Sequence, residues 1–370
     1  MSIHPTTFAR IDLAALVHNY HKIRCDAGTD VLCIVKADAY GHGAVPCARA
    51  LSEAGAAFFG VANVSEAIAL RKGLGTRPAS ILVLGYTSPA DVSFLIENDI
   101  TQTVYSPDYA EALLARIPQG CRLKVHYKLD SGMNRLGFSI DPQNLEAAVE
   151  AVCALCKNEK LQSEGIFTHF ACADEAENPM TAAQWETFSL ALSMLRERSI
   201  VFPQVHACNS AGIYQIPAAR QSLVRAGIIL YGVAPAATVP TDGLKPVMSL
   251  HTHVTHIHSV PRGQTIGYGA AYRAERDMEI ATLAIGYADG FIRAYNGCSI
   301  RIRGEERPLV GRICMDQCMI DVTGMHLLPG EEATLFDAEH PVSALSEKAG
   351  MIPYETLCLI GKRVPRIYGK

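Results

Sequence analysis

The sequence has no long apolar run, although 49% of its residues are hydrophobic. No segment reaches the ~18 uninterrupted apolar residues that a membrane span needs, and the amino-terminal MSIHPTTFARIDL lacks the apolar core of a secretory signal. A basic block is also missing: 33 Lys and Arg against 37 Asp and Glu give a net charge of −4. No stripe of positive charge could follow a phosphate backbone. We therefore expect a soluble, cytoplasmic protein with no membrane and no nucleic acid among its partners.

The cysteines and histidines do not indicate a metal site. The 12 cysteines are scattered through strand-like and helix-like runs, so we expect them to be reduced and mostly buried. The one C-x-x-C, at residues 153–156, lacks the second pair of ligands that a zinc site needs. The histidines of SLHTHVTHIHSV alternate along a predicted strand, which places His251 and His253 on one face and His256 and His258 on the other. We therefore predict no bound metal.

Strand-like and helix-like segments alternate from residue 12 to residue 232. Eight short runs rich in β-branched residues predict strands: VLCIVKAD, FFGVAN, SILVLGYT, ITQTVYS, RLKVHYKLD, SEGIFTHF, PQVHACNSAG and SLVRAGIILYG. Stretches between them, such as TAAQWETFSLALSMLRERS, have apolar residues near the helical period. This rhythm predicts an α/β fold, a (β/α)8 barrel of the TIM type, rather than an open doubly wound sheet. No G-x-G-x-x-G follows the first strand, which argues against dinucleotide binding.

The pattern changes after about residue 240, where Gly- and Pro-containing turns separate runs such as HTHVTHIHSV, EIATLAIGYADG and CSIRIRG. Long helical patterns are absent from this part, which predicts a second, mostly β domain. We therefore place the barrel at residues 10–238 and a C-terminal β domain at residues 239–370. Residues 1–9 are expected to pack with the β domain.

Polar side chains lie at or just after the ends of several predicted barrel strands. Because barrel active sites gather at the carboxyl ends of the strands, we expect these side chains to converge on one mouth. They are Lys36, Tyr40, Lys128, Arg135, His169, Asn209, Ser210 and Arg225. Each has a plain alternative when taken alone, such as surface charge for Lys128 and Arg135 or a hydrogen-bonded core histidine for His169.

Lys36 ends a run of buried-strand residues, VLCIVK. Burying an ammonium group is costly or lowers its pKa, and a desolvated lysine can form a Schiff base with a carbonyl cofactor or substrate. A lysine that extends to solvent at the rim is the alternative. The segment AGIILYG favours the first interpretation, because the N–H groups of Gly227 and Ile228 at a strand-to-helix turn can bind phosphate. Ser210 and Tyr40 can add hydroxyl donors, so a phosphorylated aldehyde fits.

The motifs around these residues resemble the signature blocks of the alanine racemases. VKADAYGHGA is similar to the pyridoxal phosphate attachment motif of that family, and further blocks follow in the family's order: KLDSGMNRLGF, THFACAD, HACNSAG, LVRAGIILYG, IGYGAAY, IGYADG and GRICMDQCMIDVT. The match runs from residue 8 to residue 368. It implies a barrel that carries pyridoxal 5'-phosphate, a C-terminal β domain, and a homodimer in which the partner's β domain completes each active site.

The activity implied by the resemblance is the interconversion of L-alanine and D-alanine by two bases, which supplies D-alanine for cell-wall peptidoglycan. Lys36 would hold the cofactor as an aldimine and act as one base, while Tyr268 of the partner subunit would be the other. Arg225 would face the pyridine nitrogen, with His169 orienting it. A permanent cation at that nitrogen keeps it unprotonated, which favours racemisation over transamination. Arg135 would face the substrate carboxylate and the cofactor's phenolic oxygen.

The resemblance implies further positions on both sides of the site. The other cofactor contacts would be Tyr40, Asn209, Ser210, Gly227 and Ile228. The substrate side across the dimer would be lined by Met315 and Asp316, and the entryway by Tyr287. Lys128 matches a position where the family often carries a carbamylated lysine. A carbamate at Lys128 would pair with Arg135, whereas an ammonium would repel it.

One departure from the family is Lys362, which stands before RVPR where the family frequently has a tyrosine that contacts the cofactor phosphate. From this difference we expect a side activity on serine. Two other functions share parts of the pattern. A pyridoxal phosphate-dependent decarboxylase would need an acidic partner for the ring nitrogen, where Arg225 stands. A cofactor-carrying homeostasis protein with a barrel alone would lack the β domain with Tyr268.

Overall fold

The computed structural model describes residues 4–369, whose contacts form two compact units. The barrel unit contains Val17–Ala39 and Ala44–Leu244. The β unit contains the described residues up to Leu16, the short segment Tyr40–Gly43, and the chain from Lys245 onwards. A parallel, helix-flanked sheet and a mostly antiparallel sheet are thus packed around separate cores.

The units differ from the predicted domain limits at residues 10–16, 40–43 and 239–244. The first difference arises because strand Thr7–Asp12 pairs antiparallel with Met248–Val260 and parallel with Arg366–Gly369. Residues 4–9 of the segment predicted to pack with the β domain therefore belong to the β unit. Residues 1–3 lie outside the described part of the chain.

The barrel unit is built on eight parallel strands, numbered here as barrel strands 1 to 8. They are Asp30–Ile34, Phe58–Val61, Ser80–Val83, Ile100–Val104, Leu123–Asp130, Leu161–Phe167, Gln204–His206 and Leu223–Ala226. Strands 1 to 7 pair in chain order, and strand 8 pairs with strand 1. The ring closes where the Arg225 N–H donates to the carbonyl of Cys208, just beyond strand 7. The predicted barrel class and its eight strands are confirmed.

Helices cover the outside of this sheet, so its strands are buried on both faces and have the near-continuous apolar sequences of a parallel sheet. The helices that follow the strands are Ala44–Glu53, Val64–Leu74, Val92–Glu97, Pro107–Leu114, Leu145–Cys156, Pro179–Glu197 and Ser210–Gln215, and Leu13–Ala27 precedes strand 1. Polar caps fix several helix starts. Ser106 accepts from the N–H of Tyr109, and Asn178 accepts from that of Met180. The two-residue strand Phe138–Ser139 pairs in parallel with the end of strand 5.

The β unit contains an eight-stranded sheet. In spatial order its strands are Met278–Leu283, Cys318–Asp321, Glu305–Val310, Ser299–Ile302, Glu332–Phe336, Met248–Val260, Thr7–Asp12 and Arg366–Gly369. The long strand Met248–Val260 also pairs with Met278–Leu283, which folds the sheet back on itself. A short hairpin joins Thr265–Ile266 to Tyr272–Arg273, and two helices, Val342–Lys348 and Pro353–Leu359, complete the unit. The second, mostly β domain is therefore also present as predicted.

The histidine-rich strand of the β unit is irregular. Its pairing register shifts between Val254 and His256, which marks a β-bulge. The ring of His251 stacks on Phe8 with centroids 5.3 Å apart, whereas His256 and His258 stack on each other at 5.1 Å. Among residues 4–369, no group of three or more His, Cys, Asp or Glu could hold a metal ion. Over the same residues, no helix combines the length and apolarity required to cross a membrane.

Candidate active site

Lys36 lies two residues beyond barrel strand 1 and opens a turn of unusual backbone conformation. Ala37, Asp38 and Ala39 have φ angles of 52°, 53° and 57°, in the left-handed region that residues with a Cβ rarely adopt. Each such residue costs roughly 1–2 kcal/mol relative to the right-handed conformation, so the surroundings must hold the turn. Lys36 itself is half-buried, at the strand end where the sequence predicted it.

Arg225 is a buried cation whose hydrogen bonds fix its orientation. Nη1 donates to Nδ1 and to the carbonyl oxygen of His206. Nη2 donates to the carbonyls of Thr168 and Ala207. Nη2 also lies 3.1 Å from Nδ1 of His169. Within the described residues Nε makes no hydrogen bond, so one N–H of the guanidinium is available to a ligand. Burial lowers the pKa of Arg225 to about 10, which leaves the group charged at neutral pH.

A chain of buried side chains continues from Arg225 across the barrel. Nδ1 of His206 lies 2.8 Å from Arg225 Nη1, its Nε2 lies 3.0 Å from Nδ1 of His126, and Nε2 of His126 lies 2.7 Å from Oε1 of Gln204. Because a guanidinium can only donate, each histidine accepts at Nδ1 and carries its proton on Nε2. Burial lowers the pKa of His126 to about 4 and that of His206 well below its usual range. Both rings are therefore neutral.

His169 shares this electrostatic environment. Burial and the neighbouring Arg225 lower the pKa of His169 well below the ordinary value. The neutral ring accepts from Arg225 at Nδ1, which is the contact expected of a residue that orients the guanidinium.

Lys128 is a buried lysine surrounded by positive charge. It is 5% exposed, and its Nζ lies 5.9 Å from the ring centroid of Phe167. Burial lowers the pKa of Lys128 to about 8, and the nearby charges of Arg135 and Arg225 add to this effect. About a tenth of Lys128 is therefore an uncharged, nucleophilic amine at pH 7.

Arg135 is exposed and is positioned by the loop that precedes it. Oδ1 of Asp130, at the end of barrel strand 5, accepts from the N–H groups of Gly132, Met133 and Asn134 at 2.8 to 3.1 Å. Its Oδ2 accepts from the N–H of Arg135 at 3.1 Å. One carboxylate thus ties the whole loop to the strand, and so sets where Arg135 leaves the backbone.

The turn after barrel strand 8 meets the segment after strand 7. The N–H of Gly227 donates to Oγ of Ser210 at 3.0 Å, and Ile228 begins a buried one-turn helix, Ile228–Tyr231. Asn209 caps helix Ser210–Gln215 by accepting from the N–H of Gly212 at 2.9 Å. Hydroxyl and amide groups of both segments are therefore gathered at the carboxyl ends of the strands.

Eight large apolar or aromatic side chains are exposed in the described part of the β unit, and three of them are predicted site residues. Tyr268 is 65% exposed, Met315 52% and Tyr287 40%. Tyr268 begins the turn Tyr268–Ala270 and lies between Gly267 and Gly269, whose φ angles are 72° and 69°. Exposed aromatic and apolar groups on a folded unit are typical of surfaces that another chain or a ligand covers.

The loops that carry Tyr287 and Met315 are joined to each other. The N–H of Tyr287 donates to the carbonyl of Cys314, and that of Ala288 to the carbonyl of Met315, both at 3.0 Å. A Cβ at Gly286 would lie 2.4 Å from the Met315 carbonyl oxygen, so only glycine allows this close approach. Tyr287 and Met315 are therefore held as one group.

Arg363 strengthens this arrangement. Its Nη1 donates to Oδ1 of Asp316 at 2.9 Å, and its Nε lies 3.2 Å from Oδ1 of Asp289. Lys362, beside it, is exposed. Tyr40, which belongs to the β unit, is buried with its ring 5.9 Å from that of Tyr354, and burial raises its pKa.

The predicted site residues thus fall into two groups, one in each unit. The barrel unit contains Lys36, Lys128, Arg135, His169, Asn209, Ser210, Arg225, Gly227 and Ile228. The β unit contains Tyr40, Tyr268, Tyr287, Met315 and Asp316. Four further residues around these groups, His126, His206, Gln204 and Asp130, were not predicted from the sequence. A signal existed for His126, which lies two residues before Lys128 on the same strand and therefore on the same face.

Family models and solved structures match nearly the whole chain. Residues 11–235 match the alanine racemase N-terminal domain, and residues 247–368 match the alanine racemase C-terminal domain. An alanine racemase of Desulforamulus reducens is 42% identical over 98% of this chain and 98% of its own length. One from Desulfovibrio desulfuricans is 40% identical over 98% and 97%.

The structural matches agree with the sequence matches. An alanine racemase of Clostridium difficile superposes with a TM-score of 0.93 at 37% identity, covering 100% of this chain and 97% of the other. The alanine racemase of Bacillus anthracis with bound L-Ala-P superposes with a TM-score of 0.91 at 34% identity, covering 100% and 96%.

Proposed function

Because the chain belongs to the alanine racemase family, we propose that it interconverts L-alanine and D-alanine, using pyridoxal 5'-phosphate attached to Lys36. The observation that carries the proposal is the arrangement of Arg225. It is a buried, charged guanidinium in which four N–H groups are used by the barrel and Nε–H is left over. A ring nitrogen that accepts from this N–H would suit racemisation, whereas a decarboxylase would place a carboxylate there.

The residues of the barrel unit fit this cofactor. Lys36 would supply the covalent link, and Arg225 the hydrogen bond to the ring nitrogen. The segments joined by Ser210 and Gly227 would hold the phosphate, because hydroxyl groups and N–H groups at helix starts bind such anions. Asn209, Ile228 and Tyr40 complete the proposed cofactor contacts.

The proposed reaction removes the α-proton of alanine on one face and returns a proton on the other. When bound, pyridoxal phosphate supplies an electron sink for the electron pair left on the α-carbon. Nζ of Lys36 would move the proton on one face, and Oη of Tyr268 on the other. Arg225 can donate a hydrogen bond but cannot accept one, so a ring nitrogen that faces it would stay unprotonated and act as the acceptor. An unprotonated ring nitrogen makes the cofactor a weaker electron sink. A weaker sink favours return of the proton to the α-carbon over transamination.

We propose that two copies of the chain share their active sites. Tyr268, Met315 and Tyr287 are exposed on the β unit, and a partner subunit that covers them would bring Tyr268 to the site of its neighbour. Met315 and Asp316 would then line the substrate side, with Tyr287 at the entryway. Arg135 would bind the substrate carboxylate through its bidentate guanidinium.

Lys128 is proposed to be carbamylated. Its pKa of about 8 leaves enough neutral amine for attack on CO2, which forms a carbamate and releases one proton. The product would be an anion beside Arg135 and Arg225, and it would exchange repulsion between cations for attraction. A carbamate could also accept hydrogen bonds from the guanidinium of Arg135 and so orient it toward the substrate.

Three finer points of the function are also proposed. The product D-alanine would serve cell-wall peptidoglycan, and the cytoplasmic location stays a prediction.

A flexible, exposed Lys362 in place of an aromatic ring would loosen the substrate pocket enough to admit serine. A pocket for a methyl group rejects one extra hydroxyl only by about a hundredfold. Values of kcat/KM for alanine and serine, in wild type and Lys362→Tyr, test this last point.

The proposed function is tested by incubating the holoenzyme with L-alanine in deuterated water. We expect D-alanine with deuterium at the α-carbon, and we expect Lys36→Ala to lose both the lysine-linked cofactor absorbance and the activity. Ethylamine and CO2 would instead identify a decarboxylase. Unchanged L-alanine with bound cofactor would identify a cofactor-carrying protein without this activity.

A further inference from the structure

The left-handed turn after Lys36 contains no glycine, so its backbone conformation must be held from outside. Ala37, Asp38 and Ala39 all have positive φ angles between 52° and 57°. The turn closes on itself through the N–H of Ala39, which donates to the carbonyl of Val35 at 2.9 Å. Asp38 anchors its far side by accepting from the N–H of Ala44 at 2.7 Å.

The near side of the turn is held by Glu66, from a different βα unit of the barrel. Oε1 of Glu66 accepts from the N–H of Ala37 at 2.9 Å, and Oε2 accepts from the N–H of Ala62 at 2.8 Å. Within the described residues, Glu66 is the acceptor for the Ala37 N–H. One half-buried carboxylate therefore joins the residue after Lys36 to the end of barrel strand 2.

The position of Glu66 in its own helix shows that this contact is specific. Glu66 is the third residue of helix Val64–Leu74, and Asn63 caps that helix by accepting from the Glu66 N–H at 3.0 Å. In a capping box, a glutamate at this position turns back to the N–H of the capping residue. Here both carboxylate oxygens are directed to Ala37 and Ala62 instead.

We propose that Glu66 is a positioning residue for Lys36. By accepting the N–H of Ala37, it holds the left-handed turn and sets the direction in which the Lys36 side chain leaves the backbone. The inference rests on the proposed role of Lys36 as cofactor link and base. It adds a residue that touches neither cofactor nor substrate but determines where the lysine amine stands.

The test compares Glu66→Ala, Glu66→Gln, Ala37→Gly and the double variant Glu66→Ala/Ala37→Gly in the holoenzyme. Glycine adopts left-handed angles without steric cost, and the Ala37 side chain is exposed, so Ala37→Gly should stabilise the turn without other loss. Glu53→Ala is the matched control, because Glu53 also forms a surface contact, with Arg77, but lies away from the turn.

Glu66→Ala should lower kcat by about tenfold with little change in KM for alanine, since a misplaced base affects the proton-transfer steps more than substrate binding. The dissociation constant of pyridoxal phosphate, measured by equilibrium dialysis and the lysine-linked absorbance, should rise by a similar factor. Glu66→Gln keeps one acceptor oxygen and should show a smaller loss. The double variant should recover most of both losses, which a general destabilisation would not allow.

Two results would overturn the inference. One is a Glu66→Ala enzyme that matches the Glu53→Ala control in kcat and cofactor affinity. The other is a loss that Ala37→Gly does not restore, because the turn would then not be the route of the effect. Neither result affects Lys36 itself. If borohydride reduction and mass spectrometry instead find the cofactor on another lysine, the proposed function fails, whatever the Glu66 variants show.

Discussion

Nη1 of Arg225 donates to Nδ1 of His206 over 2.8 Å, deep in the barrel. This contact determines the tautomer of His206 and, through it, that of His126. His206 must carry its own proton on Nε2, where it donates to His126, and His126 in turn donates to Gln204. Because Oε1 of Gln204 can only accept, it fixes the tautomers of both histidines, so that Nδ1 of His206 faces Arg225 as an acceptor. We conclude that Gln204 and His126 hold the guanidinium in place through the tautomer of His206.

Gln204→Glu should disturb this chain while it changes little volume. A carboxylate at this half-buried position, beside Nε2 of His126, would raise the pKa of that ring, so that His126 becomes protonated and donates at Nδ1 as well. His206 would then carry its proton on Nδ1, against Arg225. We expect kcat for racemisation to fall about tenfold and slow transamination of the cofactor to become measurable. Gln221→Glu, near the surface, is the control. Unchanged partition between racemisation and transamination would contradict the role of the chain.

The buried histidines predict a specific loss of stability in acid. The pKa of His126 is lowered to about 4, and those of His169 and His206 are lowered well below the usual range, against about 6.5 in an unfolded chain. Above pH 6.5 neither state is protonated, and the full stability is present. As the pH falls below that value the unfolded state binds protons that the folded state does not, so stability decreases.

Each histidine should contribute a slope of up to about 1.4 kcal/mol per pH unit between pH 6 and pH 5. Urea unfolding of wild type and His126→Gln over this range measures the difference. The variant should show the shallower slope, while the exposed His256→Gln should follow wild type. Equal slopes for His126→Gln and wild type would mean that His126 is protonated in the fold.

Lys128→Arg should prevent carbamylation and leave a cation where the carbamate would stand. Because arginine does not react with CO2, we expect a rise of about tenfold in KM for alanine, as Arg135 loses its anionic partner. Lys124→Arg, on the same strand, is the matched control. After equilibration with 13C-bicarbonate, wild type and the control should give a carbamate carbon resonance that Lys128→Arg lacks. The same resonance in Lys128→Arg would place the modification elsewhere.

Asp130→Asn tests how Arg135 is positioned. An asparagine has one acceptor oxygen, so it can keep either the contacts to residues 132–134 or the contact to the Arg135 N–H, but not both. We expect KM for alanine to rise several-fold more than kcat falls. Asp141→Asn is the control, since Asp141 also caps a loop, accepting from Gln143 and Asn144. Equal effects of the two substitutions would indicate loss of loop stability alone.

Sequence reasoning was sufficient for features that repeat locally. The eight barrel strands have apolar, β-branched runs, and Lys36 was identified because a cation ended such a run. Features that depend on strand neighbours were not accessible. The contact of His126 with His206 joins residues 80 positions apart, and it depends on the pairing of strand 5 with strand 6 and of strand 6 with strand 7.

The turn after Lys36 shows the same limit at short range. The letters KADAY contain no glycine and give no sign of a left-handed backbone, because that conformation is held by Glu66, 29 positions along the chain. The pairing of Thr7–Asp12 with Arg366–Gly369 is equally invisible to local patterns, and it moves residues 10–16 into the β unit.

In the proposed dimer, one subunit's Lys36 and the other subunit's Tyr268 act on the same substrate. Mixing Lys36→Ala chains with Tyr268→Phe chains tests it most directly, since each homodimer lacks one base at every site. After random exchange of subunits half of the dimers are mixed, and one of the two sites in each mixed dimer has both bases. We expect recovery of about a quarter of the wild-type racemase activity. No recovery, after subunit exchange has been verified, would contradict it.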